Sequence, residues 1–280
     1  MSQTVKVLIF DIDGTIMPQG GPIDPRVGEV FRNIQGLGLR VGPATGKGAD
    51  YARGLACGIG TIWDFVIAET GAQVLETLSK TPPSFRQHTV VSGGNRDLCV
   101  FADKIGLDQI GRTFDFRGCP ETYRPELKEC IITMFPSGKD IEVTEEWQTY
   151  FDGMIDLCQL RLKTQRFKDG CIDILPIEVN KSLGVHTVCK MIGCSVEEVV
   201  TAVDGVNDFE LLLPGCKAIA VGNAVESIKE EALRHGGIVS EYPCGIGFAD
   251  GLLQYAKQGV FGNISTSIAE HIMEVFPELK

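Results

Sequence analysis

The hydrophobic pattern opens with a near-continuous apolar run at residues 5–10, Val-Lys-Val-Leu-Ile-Phe, whose β-branched character predicts a strand covered on both faces, as in a parallel α/β sheet. Residues 25–37 then carry Val27, Val30, Phe31 and Ile34 at helical spacing, with Asp24 as N-cap before Pro25 at the first helical position. A second strand over 38–42 runs into Pro43-Ala44-Thr45-Gly46-Lys47 and a helical stretch over 49–56. Towards the other end, Asn180-Lys181 opens an amphipathic helix marked by Leu183, Val188, Met191 and Ile192. Strands over 199–203 and 217–221 follow, with a short helix over 209–213 between them. Strands alternating with helices predict the α/β class, with a Rossmann-like parallel sheet as the core.

The middle of the chain has a pattern of its own. Helices are expected over 96–105 and 144–155, and strands over 128–135, 157–164 and 171–175, the last two around a Lys168-Asp169-Gly170 turn. An α+β insert over 82–176, interrupting a core of 1–81 and 177–280, accounts for both patterns in 280 residues. In the run 160–165, alternation puts Arg161, Lys163 and Gln165 on one face and Leu160 and Leu162 on the other.

Chemistry enters where the strands end. Asp11-Ile12-Asp13-Gly14-Thr15 follows the first strand directly, so two carboxylates stand at the carboxyl end of a buried strand, where such sheets bind ligands. Alternation points Asp11 and Asp13 the same way, and Gly14 lets the chain turn off. Like charges that close call for a proton or a cation, and a hard divalent metal with oxygen ligands, Mg2+ being usual beside phosphates, fits the pair. One carboxylate is then free to act as nucleophile and the other as general acid and base.

The strand at 199–203 repeats this logic in Asp204-Gly205-Val206-Asn207-Asp208, and a further strand leads into Gly222-Asn223-Ala224. Thr45 and Gly46 expose a hydroxyl and backbone N–H groups at the start of a helix, which is an anion site; a threonine capping that helix is the other reading of Thr45. The spacing is not that of a P-loop. Lys181 sits at a helix N-terminus, where a cation opposes the dipole, and the acidic loops supply a reason for it as a bridge between carboxylate and phosphoryl oxygen.

A net charge of −11 without a Lys/Arg block argues against a nucleic-acid partner. Hydrophobic content of 44% and charged content of 22% are those of an ordinary globular chain. No apolar stretch is long enough for a bilayer, and no apolar signal segment opens the chain, so a soluble, cytoplasmic protein without membrane partners is expected. Ten cysteines, among them Cys57, Cys99, Cys130, Cys171 and Cys216, show no C-x-x-C spacing and are expected as buried thiols. The expected partner is a small phosphorylated metabolite; a homodimer stays open.

These segments, in order, resemble the motifs of the haloacid dehalogenase superfamily and its Asp-based phosphatases with a large α/β cap. Asp11 to Thr15 resembles the first motif, Thr45-Gly46 the second, Lys181 the third, and Asp204 to Asp208 the fourth. Ile67-Ala68-Glu69-Thr70-Gly71-Ala72 is similar to the E-N-G-A stretch of phosphoglycolate, sucrose-phosphate and mannosylphosphoglycerate phosphatases. Val203 and Thr70 depart from the family pattern, which has glycine and asparagine there. The resemblance implies that Asp11 attacks phosphorus to form an aspartyl-phosphate, and that Asp13 protonates the leaving oxygen and then activates water. It implies Mg2+ on the Asp11 carboxylate, the Asp13 carbonyl and Asp204, with Asp208 beside them and bonded to Lys181. Thr45, Gly46, Lys181 and Asn207 would bind phosphate. The insert would be the substrate-selecting cap, and the products would be those of a phosphomonoester hydrolase or, as the alternative, a phosphomutase of the phosphomannomutase kind.

Overall fold

The first apolar run forms β1 (Val7–Phe10), fully buried at all four positions. In this computed structural model, which describes residues 4–89, 95–105, 108–110, 113–115, 123–126, 128–136, 141–167 and 170–280, β1 is followed by α1 (Pro25–Gly36), β2 (Arg40–Pro43), α2 (Ala49–Gly58), β3 (Phe65–Ala68), β4 (Gln73–Lys80) and β5 (Pro83–Thr89). The middle holds α3 (Arg96–Lys104), β6 (Asp108–Ile110), β7 (Thr113–Asp115), β8 (Tyr123–Glu126), β9 (Ile132–Pro136), α4 (Ile141–Leu157), β10 (Leu162–Arg166) and β11 (Ile172–Pro176). Then come α5 (Lys181–Ile192), β12 (Val199–Val203), β13 (Lys217–Ala220), α6 (Glu226–Arg234), β14 (Ile238–Val239), α7 (Cys244–Lys257) and α8 (Ser265–Val275). The chain divides into two compact units, Met1–His88 with Asn180–Lys280, and Thr89–Val179.

The first unit is built on a sheet of order β14-β13-β12-β1-β2 in which every pairing is parallel. This is the α/β core that the alternation of strands and helices predicts, and the order is not the chain order: β1 lies between β2 and β12, Ile9 pairing with Gly42 on one side and with Thr201, 159 positions further along the chain, on the other. Asp24 caps α1 as expected, accepting from the Arg26 N–H, with Pro25 in the first turn. Beside this sheet, Ala44 bridges Ile67 in parallel, and β3, β4 and β5 form a three-stranded sheet. Residues 82–88, expected within the insert, therefore belong to this unit, and residues 177–179, expected in the core, to the other, because the 82–176 limits rest on motif positions and cannot register the pairing of β5 with β4.

The second unit carries a sheet of order β10-β11-β9-β8 and the pair β6-β7. Its apolar core joins Leu98, Phe101 and Ala102 of α3 and Phe151 and Ile155 of α4 to Ile132, Met134, Leu162, Ile172 and Ile174 of the sheet. The β9 ladder starts four residues later than the apolar run at 128 suggests, because residues 129–131 bend before it. Of the expected turn, Lys168 and Asp169 lie outside the described residues. Among the described residues no helix is long and apolar enough to cross a membrane.

Cys130, Cys171 and Cys216 are buried, as expected, but Cys57 is exposed and Cys99 only partly covered. The correction has a helical cause: α2 buries Ala52 and Ala56, and Cys57 lies about 100° further round, on the solvent face.

Candidate functional site

Parallel order places the loops after β12, β1 and β2 side by side at one sheet edge, and the site is assembled there. Asp11 continues the ladder beyond β1, its N–H donating to the Ala202 carbonyl at 3.0 Å, and it is 5% exposed. The chain then turns tightly: the N–H groups of Thr15, Ile16 and Met17 all point at the Ile12 carbonyl, and the Gly14 N–H donates to Met17 O at 2.7 Å. Gly14 has φ 87, and a Cβ there would meet Asp204 Oδ2 at 2.3 Å. Glycine is thus required twice, by its backbone and by the acid packed against it.

Asp204 follows β12 directly. Thr15 Oγ1 donates to Asp204 Oδ1 at 2.6 Å, and the N–H groups of Asp204 and Gly205 both donate to Asp208 Oδ2 at 3.1 Å. Lys181 opens α5 behind its N-cap Asn180, whose Oδ1 accepts from the Leu183 N–H at 2.8 Å. Its ammonium, 1% exposed, donates to Asp11 Oδ1 and to Asp208 Oδ1, each at 2.6 Å. The backbone N–H of Lys181 donates to Glu210 at 2.8 Å, a carboxylate that sequence reading does not single out.

Asp11, Asp204 and Asp208 each offer a carboxylate oxygen, and these three lie within 4.8 Å of one another. Lys181 is bonded to two of these three carboxylates, Asp11 and Asp208, and Asp204 completes the cluster. Burial raises the Asp11 carboxyl well above its ordinary range, with Asp208 and Asp204 adding to the rise and Lys181 opposing it. Asp204 is pushed up to about 6, by burial first and the neighbouring Asp208 second. Burial by itself would lower Lys181, but the charges of Asp11 and Asp208 more than reverse it and hold the amine protonated. An all-oxygen donor set with surplus negative charge fits a hard divalent cation, and these residues could hold one.

The other candidates fall in neighbouring positions. Asp13 is partly buried beyond the turn, and its carboxylate raises Asp204 electrostatically without joining the three-acid cluster. Thr45 is 2% exposed; its hydroxyl accepts from the Lys47 N–H at 3.1 Å, and its carbonyl accepts from the Thr70 N–H at 3.1 Å. It does not cap α2, whose N-cap is Gly48, so the capping reading of Thr45 is corrected: the chain needs three more residues to turn into the helix. Gly46 is partly buried beside Thr70, with 3.6 Å between the position of a Gly46 Cβ and Thr70 Oγ1. Asn207 folds its amide back over Gly205, where a Cβ would meet Asn207 Oδ1 at 2.4 Å.

The Glu69-Thr70-Gly71 stretch packs against the start of α5. Gly71, at φ 93, passes so close that a Cβ would meet Asn180 O at 2.1 Å. Thr70 itself has φ 59, in the left-handed region where a β-branched residue is strained and asparagine is tolerated. Sequence reading also passes over the bond from Thr15 to Asp204, although a hydroxyl two residues from Asp13 was the available signal.

With this geometry in hand, comparisons with known proteins define the class. A family model described as haloacid dehalogenase-like hydrolase matches residues 124–237. A phosphoglycolate phosphatase of Methanopyrus kandleri is 25% identical over 230 residues, covering 81% of this chain and 88% of that protein. A haloacid dehalogenase-like hydrolase structure from Bacteroides thetaiotaomicron superposes with a TM-score of 0.65 at 18% identity, covering 95% of this chain and 99% of that one. The sucrose-phosphatase of Synechocystis sp. PCC6803, solved with sucrose and phosphate, gives a TM-score of 0.61 at 14% identity over 91% of this chain and 98% of that one. Family model, relatives and solved structures all bear out the resemblance of this chain to hydrolases of the haloacid dehalogenase superfamily.

Proposed function

We propose that this chain is a Mg2+-dependent phosphomonoester hydrolase acting on a small phosphorylated metabolite, phosphoglycolate or a sugar phosphate, through an aspartyl-phosphate on Asp11. The observation that carries the reading is the trio Asp11, Asp204 and Asp208 around one buried ammonium, Lys181, at the carboxyl edge of a parallel sheet. Asp11, Asp13, Asp204 and Asp208 are the residues that would hold the cation, which when bound supplies positive charge to the phosphoryl oxygens.

Asp11 is the nucleophile. A carboxylate oxygen bonds to phosphorus as the ester P–O bond breaks, and Asp13 delivers a proton to the departing oxygen. Asp13 then takes a proton from water, whose oxygen attacks the acyl phosphate and frees Asp11 with release of inorganic phosphate. Lys181, Thr45, the Gly46 N–H and Asn207 orient the phosphoryl oxygens, so that charge is in place before reaction. Thr89–Val179 is read as the cap that selects the substrate. The phosphatase names of the relatives favour hydrolysis over a mutase reaction.

A panel of phosphomonoesters assayed for inorganic phosphate with Mg2+ and with chelator tests the reading. Turnover of phosphoglycolate or a sugar phosphate that stops on chelation supports it; isomerised sugar phosphate formed only with a bisphosphate activator would replace it by the mutase.

A further inference from the structure

The Gly222-Asn223-Ala224 turn has no part in the chemistry assigned so far, yet its amide touches the site's scaffold on two sides. Asn223 Nδ2 donates to the Gly14 carbonyl at 2.8 Å, and Asn223 Oδ1 accepts from the Cys244 N–H, the first residue of α7, at 2.7 Å. The Cys244 thiol reaches the same Gly14 carbonyl at 3.4 Å. Two residues on, the Val225 N–H donates to the Asp204 carbonyl at 2.9 Å. A closed ring of contacts results: the 222–225 loop holds Gly14 through Asn223, Thr15 holds the Asp204 carboxylate at 2.6 Å, and the Asp204 carbonyl returns to the same loop.

Position matters here because Gly14 is packed without slack, at φ 87 with Asp204 Oδ2 where a Cβ would be. A tilt of the peptide after Gly14 moves Thr15 and thereby rotates the Asp204 carboxylate. We propose that Asn223 is a positioning residue: its amide fixes the Gly14–Thr15 turn, and through it orients Asp204 for a divalent cation. The proposal rests on reading Asp11, Asp204 and Asp208 as a cation site. Asn223 is itself solvent-exposed, and its hydrogen bonds go to Gly14 and Cys244 rather than to the acids, so its effect is transmitted through the turn.

A purely structural duty, capping α7, is the competing role, and two substitutions separate them. Asn223→Asp keeps the acceptor for the Cys244 N–H and puts an anion at a helix N-terminus, which favours the cap. It removes the donor to Gly14. Its added negative charge, if it acted alone, would strengthen cation binding. Mg2+ titration of the full-length protein by calorimetry, with metal-free thermal unfolding alongside, is the experiment. Asn223→Ala and Asn223→Asp should each bind Mg2+ about tenfold more weakly, while Asn223→Asp unfolds at the wild-type temperature. Wild-type Mg2+ affinity in Asn223→Asp would overturn the proposal. Should the wild-type protein bind no Mg2+, or bind it equally after Asp204→Asn, the cation-site reading falls and the proposal with it; binding that needs Asp204 but ignores Asn223 overturns the proposal alone.

Discussion

Each unit buries a lysine beside an aspartate, and the two are built differently. In the first, Lys181 bonds two carboxylates directly at 2.6 Å, with a third acid completing a cluster within 4.8 Å. In the second, Lys128 donates to Thr133 Oγ1, which donates to Asp173 Oδ1, each at 2.5 Å, and the ammonium stands 3.8 Å from the carboxylate. Thr133 and Asp173 are directly opposed on β9 and β11, on the sheet face away from Ile132, Met134, Ile172 and Ile174. Among the described residues no comparable trio of acids gathers around Lys128. A hydroxyl interposed between opposite charges satisfies both and leaves nothing for a ligand to neutralise. Acids crowded around one cation leave surplus charge, which is stable only if something else arrives.

The largest effect should follow from the acid that the surplus serves. Asp11→Asn should lower turnover by about a thousandfold or more and prevent trapping of a phosphoenzyme; substantial residual turnover would reduce Asp11 to a metal ligand. The comparison itself is sharpened by removing each lysine. Lys181→Met and Lys128→Met should each cost about 3–5 kcal/mol in metal-free denaturant unfolding, the usual result of stranding a buried charge. Millimolar Mg2+ should restore part of the loss in Lys181→Met and none in Lys128→Met. Equal recovery in both, or in neither, would erase the distinction drawn between the two clusters.

A smaller effect concerns pH. In the metal-free protein Asp204 holds its proton to about pH 6, against an ordinary value of 3.8. Between those values the folded chain binds more protons than the unfolded one, so this group's contribution to stability falls as pH rises from about 4 to about 6. A divalent cation must displace that proton, and its affinity should therefore weaken as pH drops below about 6. Unfolding in chelator across pH 4–7, paired with Mg2+ titrations at the same pH values, checks both signs; affinity that is flat with pH would remove Asp204 from the cation's ligands. The smallest effect is local. Thr70→Asn should stabilise the protein by about 0.5–1 kcal/mol by relieving a left-handed β-branched residue, read as a shift of the unfolding midpoint. No gain, or a loss, would mean that the Thr70 side chain offsets its own backbone cost.

Much of the site is legible in the chain because the signals are local. Apolar strands ending in Asp11 and Asp204 identify themselves by pattern and position, and Asp24 before Pro25 announces a helix start by the same kind of short-range rule. Thr45 as a non-cap is less legible, since strand, glycine and helix in succession do not say at which residue the turn into α2 is completed. The end of the first unit at His88 is missed because strand pairing is a long-range choice: nothing inside residues 83–89 states that β4 will accept them as a neighbour.

What the sequence by itself determines is the set of groups: which acids follow buried strands, which lysine opens a helix among them, and where glycine must let the chain turn. Only the tertiary structure decides that they meet. The order β13-β12-β1-β2 brings Asp11 and Asp204, 193 positions apart along the chain, to one edge, and sets Thr15, Gly14 and Asn223 around Asp204. The reason is that a residue's type and its place on a strand or helix follow from nearest neighbours and a fixed period. Convergence follows from which strands pair, and pairing is settled by burial summed over the whole sheet.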